Sequence, residues 1–178
     1  KLRVNKEKKK KIFKNFKDLI SSKNQILSSL DKNYKDSYSK NFVKKYTNHK
    51  NFRIIGIGGS ILGAKAIYKF LEPKLNKFQF IDNFSSYKNN KKKVTLIISK
   101  SGNTLETISN VNILIKKKEK NIFITENKKS YLFELANRLK AEIISHNNYI
   151  GGRYSVLSEV GMLPAQLMGF KPEKFRRL

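Results

Sequence analysis

Five short apolar runs recur between residues 52 and 145, and helical periodicity follows four of them. The runs are Arg53–Ile55, Phe78–Asp82, Val94–Ile98, Asn121–Thr125 and Glu142–Ser145. Each has the length and the β-branched or aromatic content of a buried strand. After the first, Ile61, Leu62, Ala64, Ala66, Ile67, Phe70 and Leu71 fall at helical spacing and stop near Pro73. Ile108, Val111, Asn112 and Ile115 repeat that spacing after the third run, and Leu132, Leu135, Ala136 and Leu139 after the fourth. A further helix is expected over Ser155–Met168, kinked or broken by Pro164. Lys88–Lys93 reads as a polar turn. Strands separated by helices pair in parallel, with the helices on both faces. The expectation is therefore an α/β fold: a three-layer α/β/α sandwich on a five-stranded parallel sheet, over residues 51–178.

The first 50 residues read differently, as an N-terminal helical segment. Ile12, Phe13, Phe16, Leu19 and Ile20 sit at helical spacing, and so do Tyr34, Tyr38, Phe42 and Tyr46. Two or more helices packed over a neighbouring domain are expected here. The basic run Lys8–Lys11 reads as a solvated face.

Parallel sheets bind ligands beyond the carboxyl ends of their strands. Three glycine- or hydroxyl-rich stretches follow strands in this chain: Gly56–Ser60, Ser99–Thr107 and Tyr149–Ser155. The fold rule gathers all three at one edge. Ser99-Lys100-Ser101-Gly102-Asn103-Thr104-Leu105-Glu106-Thr107 is a strand-to-helix turn rich in hydroxyls. A helix N-terminus offers unpaired N–H groups and partial positive charge, so it favours an anion. Ser99, Ser101, Thr104 and Thr107 add hydroxyl donors that can turn onto phosphate oxygens. The alternative is that Ser101 or Asn103 merely caps the helix. Gly58-Gly59-Ser60 allows close backbone approach and sets a hydroxyl at a second helix start. It is not a dinucleotide fingerprint, because Ile61 stands where the third glycine belongs. Gly151-Gly152-Arg153 places a guanidinium where it could stabilise an anion or a developing oxyanion. The alternative is an ordinary surface arginine.

Composition removes several classes. There is no cysteine, which excludes disulfides, thiolate metal sites and a thiol nucleophile. Two histidines, His49 and His146, make a histidine metal cluster improbable. No apolar run is long enough to span a bilayer. No signal peptide is read at the start, so a cytoplasmic protein is expected. The formal charge of +26 would attract nucleic acid at low salt. The lysines are spread along the chain and form no nucleic-acid motif, so a solvated basic surface is the expectation and a specific nucleic-acid partner is not.

Three stretches resemble the glucose-6-phosphate isomerase family of the sugar isomerase superfamily. They are Gly56-Ile57-Gly58-Gly59-Ser60-Ile61-Leu62-Gly63, Ser99–Thr107, and Gly151-Gly152-Arg153-Tyr154-Ser155-Val156-Leu157-Ser158-Glu159-Val160-Gly161. The second fits many phosphosugar-binding domains of that superfamily; the first and third are far more specific. The resemblance covers roughly residues 52–164. It implies interconversion of glucose 6-phosphate and fructose 6-phosphate through an enediolate, without metal or cofactor, by a protein that is usually a homodimer. It assigns the phosphate to Ser99, Lys100, Ser101, Thr104 and Thr107. It lays the sugar along Gly59, Ser60 and Gly152, and gives Arg153 the catalytic task of stabilising the enediolate.

The departures matter as much. The family's proton-transferring glutamate lies in a Glu-Ser-Asn-Gly-Lys motif, which does not occur here. Its ring-opening histidine precedes Gln-Gly, and neither His49 nor His146 does. Glu106 and Glu159 read as helix-turn acids. The chain is thus expected to be the first sugar isomerase domain of such an enzyme, with the start of the connection to a second. A competing reading, from a different class, is a noncatalytic module that binds a phosphosugar for regulation.

Overall fold

The computed structural model describes residues 5–22, 24–73, 76–84 and 93–176. Its centre is a five-stranded, all-parallel sheet in the order β2-β1-β3-β4-β5. The strands are β1 (Asn51–Ile55), β2 (Lys77–Ile81), β3 (Val94–Ile98), β4 (Asn121–Thr125) and β5 (Glu142–Ser145). Every residue of β3 and β4 is buried, as expected of central strands covered on both faces. The turn expected at Lys88–Lys93 lies outside the described residues except for its last lysine.

Strand alternation sorts the core into two layers. Phe52, Ile54, Leu96, Ile98, Ile122 and Ile124 point to one face. There they meet α2 (Lys40–Lys44), α3 (Gly59–Leu71) and α6 (Glu159–Leu167). Ile55, Ile97 and Phe123 point to the other face, against α4 (Leu105–Leu114) and α5 (Tyr131–Leu139). Arg53 shares that second face and is 1% exposed. Its Nη1 donates to the Leu114 carbonyl at 2.9 Å, so a buried cation closes the carboxyl end of α4.

The amino-terminal segment departs from its periodicity. α1 (Lys6–Ser21) forms, but none of its residues is buried. Its apolar stripe, Ile12, Phe13, Phe16, Leu19 and Ile20, stays 38–62% exposed, and none of the five enters either core layer. A 3-10 turn follows at Gln25–Leu30, and the next helix is the five-residue α2. Tyr34 and Tyr38 therefore lie outside any helix. Asp31 turns the chain just before them, its Oδ1 accepting from the Asn33 N–H at 2.7 Å, and Ser39 starts α2 only after them, its Oγ accepting from the Phe42 N–H at 3.1 Å. The helix expected over Ser155–Met168 is also divided. Gly152–Leu157 is a 3-10 helix, Ser158 is an extended cap, and α6 then runs through Pro164 without stopping. Ser155 Oγ donates to the Gly152 carbonyl at 2.8 Å and Ser158 Oγ to the Ser155 carbonyl at 2.8 Å, bonds that span three residues and suit the tighter winding of a 3-10 helix. Among the described residues no helix is long and apolar enough to cross a membrane.

Candidate functional site

The strand order reverses its direction of growth at β1 and β3. From β1 the chain moves outward to β2, then returns to β3 on the other side. Such a switch point opens a crevice at the carboxyl end of the sheet. Gly56–Ser60 leaves β1 and Ser99–Thr104 leaves β3, so the two turns flank this crevice.

Both turns deliver an uncapped helix. Among the described α-helices, α1, α2, α5 and α6 receive a side-chain cap from Asn5, Ser39, Ser130 and Ser158. α3 starts from Gly58 and α4 from Thr104, and neither has a side-chain cap bond. In α3 the Ser60 and Ile61 N–H groups already bond the Ile57 and Gly58 carbonyls, at 3.2 and 3.1 Å, whereas the Thr104 side chain answers none of the first-turn N–H groups of α4.

The hydroxyl turn is braced internally. Ser99, 2% exposed, bonds Thr104 across the loop, Oγ to Oγ1, at 2.9 Å. Ser101 Oγ accepts from the Asn103 N–H at 3.2 Å. Gly102 has φ +67°, and an added Cβ would overlap the Ser130 side chain, so glycine is required here on both counts. Asn103 Oδ1 accepts from the Tyr131 N–H at 2.9 Å, which serves the start of α5. Neither Ser101 nor Asn103 caps α4, so the simple capping alternative does not describe this turn. Lys100 turns aside: its Nζ donates to the Asn148 carbonyl at 2.7 Å and lies 3.6 Å from Glu126. Thr107 lies one turn into α4, 1% exposed, and its Oγ1 has no hydrogen-bond partner among the described residues.

The third motif is pressed against the first. A Cβ on Gly59 would overlap the Gly152 carbonyl, and one on Gly63 would come within 2.6 Å of Val156 Cγ2. Ser155 Oγ stitches the two together, reaching the Gly59 carbonyl at 3.3 Å as well as Gly152. Gly152 and Arg153 are exposed on the 3-10 helix. The structure thus brings Gly59 and Gly152 into backbone contact, and Ser99 and Thr104 into a hydroxyl pair. Ser60 occupies the second residue of α3.

A buried polar cluster under the Gly151–Arg153 loop was not legible in the sequence. Glu159 and His146 are each 1% exposed at the side chain and meet at 2.5 Å, Oε1 to Nδ1. His146 Nε2 faces the Ile150 carbonyl at 3.0 Å. The Asn147 N–H donates to Glu159 Oε1 at 3.2 Å, and the Tyr34 hydroxyl to Oε2 at 3.0 Å. Burial pushes the Glu159 carboxyl up, but the His146 and backbone hydrogen bonds outweigh it and hold the group below its usual range. Burial and the Glu159 charge push the Tyr34 phenol up, so it remains a donor. Both His146 ring nitrogens face oxygen atoms, the Glu159 carboxylate at Nδ1 and the Ile150 carbonyl at Nε2. Glu159 does occupy the first turn of α6, as its place in the sequence indicates, but its charge is spent on His146. No local pattern marks two residues 13 apart as a pair.

A carboxyl whose folded pKa is depressed contributes stability above its unfolded pKa and loses it as the pH falls. Thermal melts from neutral pH to about pH 3 are expected to show wild-type stability falling below about pH 4. Glu159→Gln, which cannot titrate, is expected to have a shallower slope over that interval. Parallel slopes would remove Glu159 as a source of the acid sensitivity.

A model of the phosphoglucose isomerase family matches residues 2–178. This chain belongs to that family. A glucose-6-phosphate isomerase of Methanocaldococcus jannaschii is 37% identical over 161 residues, covering 82% of this chain and 39% of the relative. One from Acholeplasma laidlawii is 36% identical, covering 71% of this chain and 36% of the relative. The chain spans under two-fifths of the length of these two family members. Among solved structures, a hypothetical protein from Thermus thermophilus superposes with a TM-score of 0.63 at 26% identity, over 75% of this chain and 37% of that one.

Proposed function

We propose that this chain supplies the phosphosugar-binding half of an isomerase that interconverts glucose 6-phosphate and fructose 6-phosphate. The observation that carries the reading is the pair of helices, α3 and α4, that start without side-chain caps on either side of the switch point. The first-turn N–H groups of α4 and the dipoles of both helices suit an anion of the size and charge of a phosphate. Ser99, Ser101, Thr104 and Thr107, with the Lys100 backbone, bind the phosphate group. The buried, unpartnered Thr107 hydroxyl supports this assignment. Gly59, Ser60 and Gly152 border the sugar, with Gly59 and Gly152 in direct backbone contact.

The reaction opens the sugar ring. A base removes the proton from C2 of the aldose, an enediolate forms, and the proton returns to C1. No redox change or group transfer occurs, so the chemistry needs no cofactor. The enediolate carries the negative charge that Arg153 stabilises. The proton carriers of the family lie in motifs that these 178 residues do not contain, so this chain binds and stabilises rather than transfers protons. The proposal extends to a cytoplasmic, homodimeric enzyme.

Calorimetric titration of fructose 6-phosphate into the chain at physiological salt tests the reading, with inorganic phosphate and DNA as comparisons. Saturable binding that prefers the sugar phosphate is expected; equal affinity for DNA or no binding by folded protein would refute it. In the same assay Thr104→Ala is expected to weaken fructose 6-phosphate about tenfold, the scale of one hydrogen bond to a charged group. Its melting temperature is expected to fall by no more than about 2–4 °C, the cost of the lost bond to Ser99, because Thr104 makes no cap bond to α4. A loss of melting temperature without a loss of binding would reverse the assignment.

A further inference from the structure

We infer that Glu159 and His146 are positioning residues that set the Gly151–Arg153 loop for work on the reacting end of the sugar. This rests on the reading of Arg153 given above. The loop leaves β5 at Ser145 and returns into α6 at Glu159. Glu159 reaches back across it to His146 and to the Asn147 N–H, so one carboxylate ties the outgoing strand end to the incoming helix start. His146 passes the restraint on, because its Nε2 faces the carbonyl of Ile150, the residue before Gly151. The far carboxylate oxygen is held by Tyr34, whose ring lies under the Arg176 guanidinium at 4.9 Å. Arg176 is itself gripped by Asp36, at 2.6 and 3.0 Å. A continuous strut therefore runs from Asp36 through Arg176, Tyr34, Glu159 and His146 to the base of the loop.

Two glycines give this loop more freedom than other residues would, and Arg153 is exposed on it. A buried carboxylate held by an imidazole is a poor source of stability compared with apolar packing. Its directional bonds do fix one geometry, and a guanidinium must sit within a fraction of an ångström to stabilise a developing charge. The strut supplies that restraint from the side of the loop opposite to the Gly59 contact. It touches no reacting atom.

The test titrates three probes into the chain: inorganic phosphate, fructose 6-phosphate, and a sugar-phosphate hydroxamate whose planar anionic end imitates an enediolate. Arg153→Ala is expected to lose about tenfold or more on the hydroxamate alone. Glu159→Gln is expected to lose about tenfold on the hydroxamate, with the other two probes within about twofold. Tyr34→Phe, which removes one bond and keeps the ring, is expected to lose roughly threefold on the hydroxamate and decides the matter if Glu159→Gln does not fold. Glu159→Gln added to Arg153→Ala is expected to cost nothing more, because both act through the same guanidinium. Unchanged hydroxamate affinity in Tyr34→Phe and in folded Glu159→Gln overturns the inference. So does a parallel loss on all three probes, or a loss that adds to that of Arg153→Ala. Unchanged hydroxamate affinity in Arg153→Ala itself marks a different failure: the role of Arg153 falls first, and the positioning role falls with it.

Discussion

Arg153→Ala is expected to lower turnover of the assembled isomerase by about 10²–10³-fold, the loss typical of removing one donor from a site of developing charge. The Michaelis constant is expected to change little. Neither sugar phosphate carries the enediolate charge in its ground state, so Arg153 contributes when the proton leaves carbon and not before. The guanidinium is available for this because it is exposed and forms none of the ion pairs found among the described residues. Lysine at this position is expected to restore only part of the rate, since it supplies the charge without the planar fork. Initial rates in both directions across a range of substrate concentration separate the two parameters. A raised Michaelis constant at normal turnover would mean that Arg153 binds the ground state, and its catalytic role would be withdrawn.

Gly59→Ala is expected to cost about 3 kcal/mol, the upper end for overpacking a close contact. For a chain of this size that corresponds to a drop of roughly 6–12 °C in melting temperature. The added Cβ overlaps the carbonyl, carbonyl carbon and Cα of Gly152. All three are backbone atoms, so no side-chain rotation relieves the clash. Either α3 or the Gly152–Leu157 segment must move, and the Ser155 bridge between them breaks. Fructose 6-phosphate binding is expected to be lost even in protein that remains folded. Gly151→Ala is the matched control: its Cβ would meet only Tyr154 Cδ2, at 3.8 Å, an ordinary contact. Equal melting temperatures and equal binding in the two variants would show that the Gly59–Gly152 approach has no role in holding the site.

The strands were legible because each is a local run of apolar residues, and a strand needs no more than that to be recognised. Val94–Ile98 and Asn121–Thr125 match β3 and β4 to the residue. The stop of α3 before Pro73 was legible for a similar reason, since proline and a left-handed cap at Glu72 end a helix locally. Of the stretch from Tyr34 to Tyr46, whose spacing fits one helix, only Lys40–Lys44 is helical, because Ser39 caps a helix that starts there and Asp31 turns the chain before Tyr34. Spacing records which residues could share a face, not whether the backbone adopts the helix that would make them do so.

The order of the motifs along the chain by itself determined the α/β class, the parallel sheet and the family resemblance. Each of these follows from local periodicity or from contiguous residues. Tertiary structure alone decided that Asn103 serves α5 and leaves α4 uncapped, that Gly59 lies against Gly152, and that Glu159 finds His146. Those outcomes join segments that are distant in sequence, and they depend on how the sheet twists and where each helix is laid upon it. A side chain's type states which bonds it can make; only the packed fold states which partner is within reach.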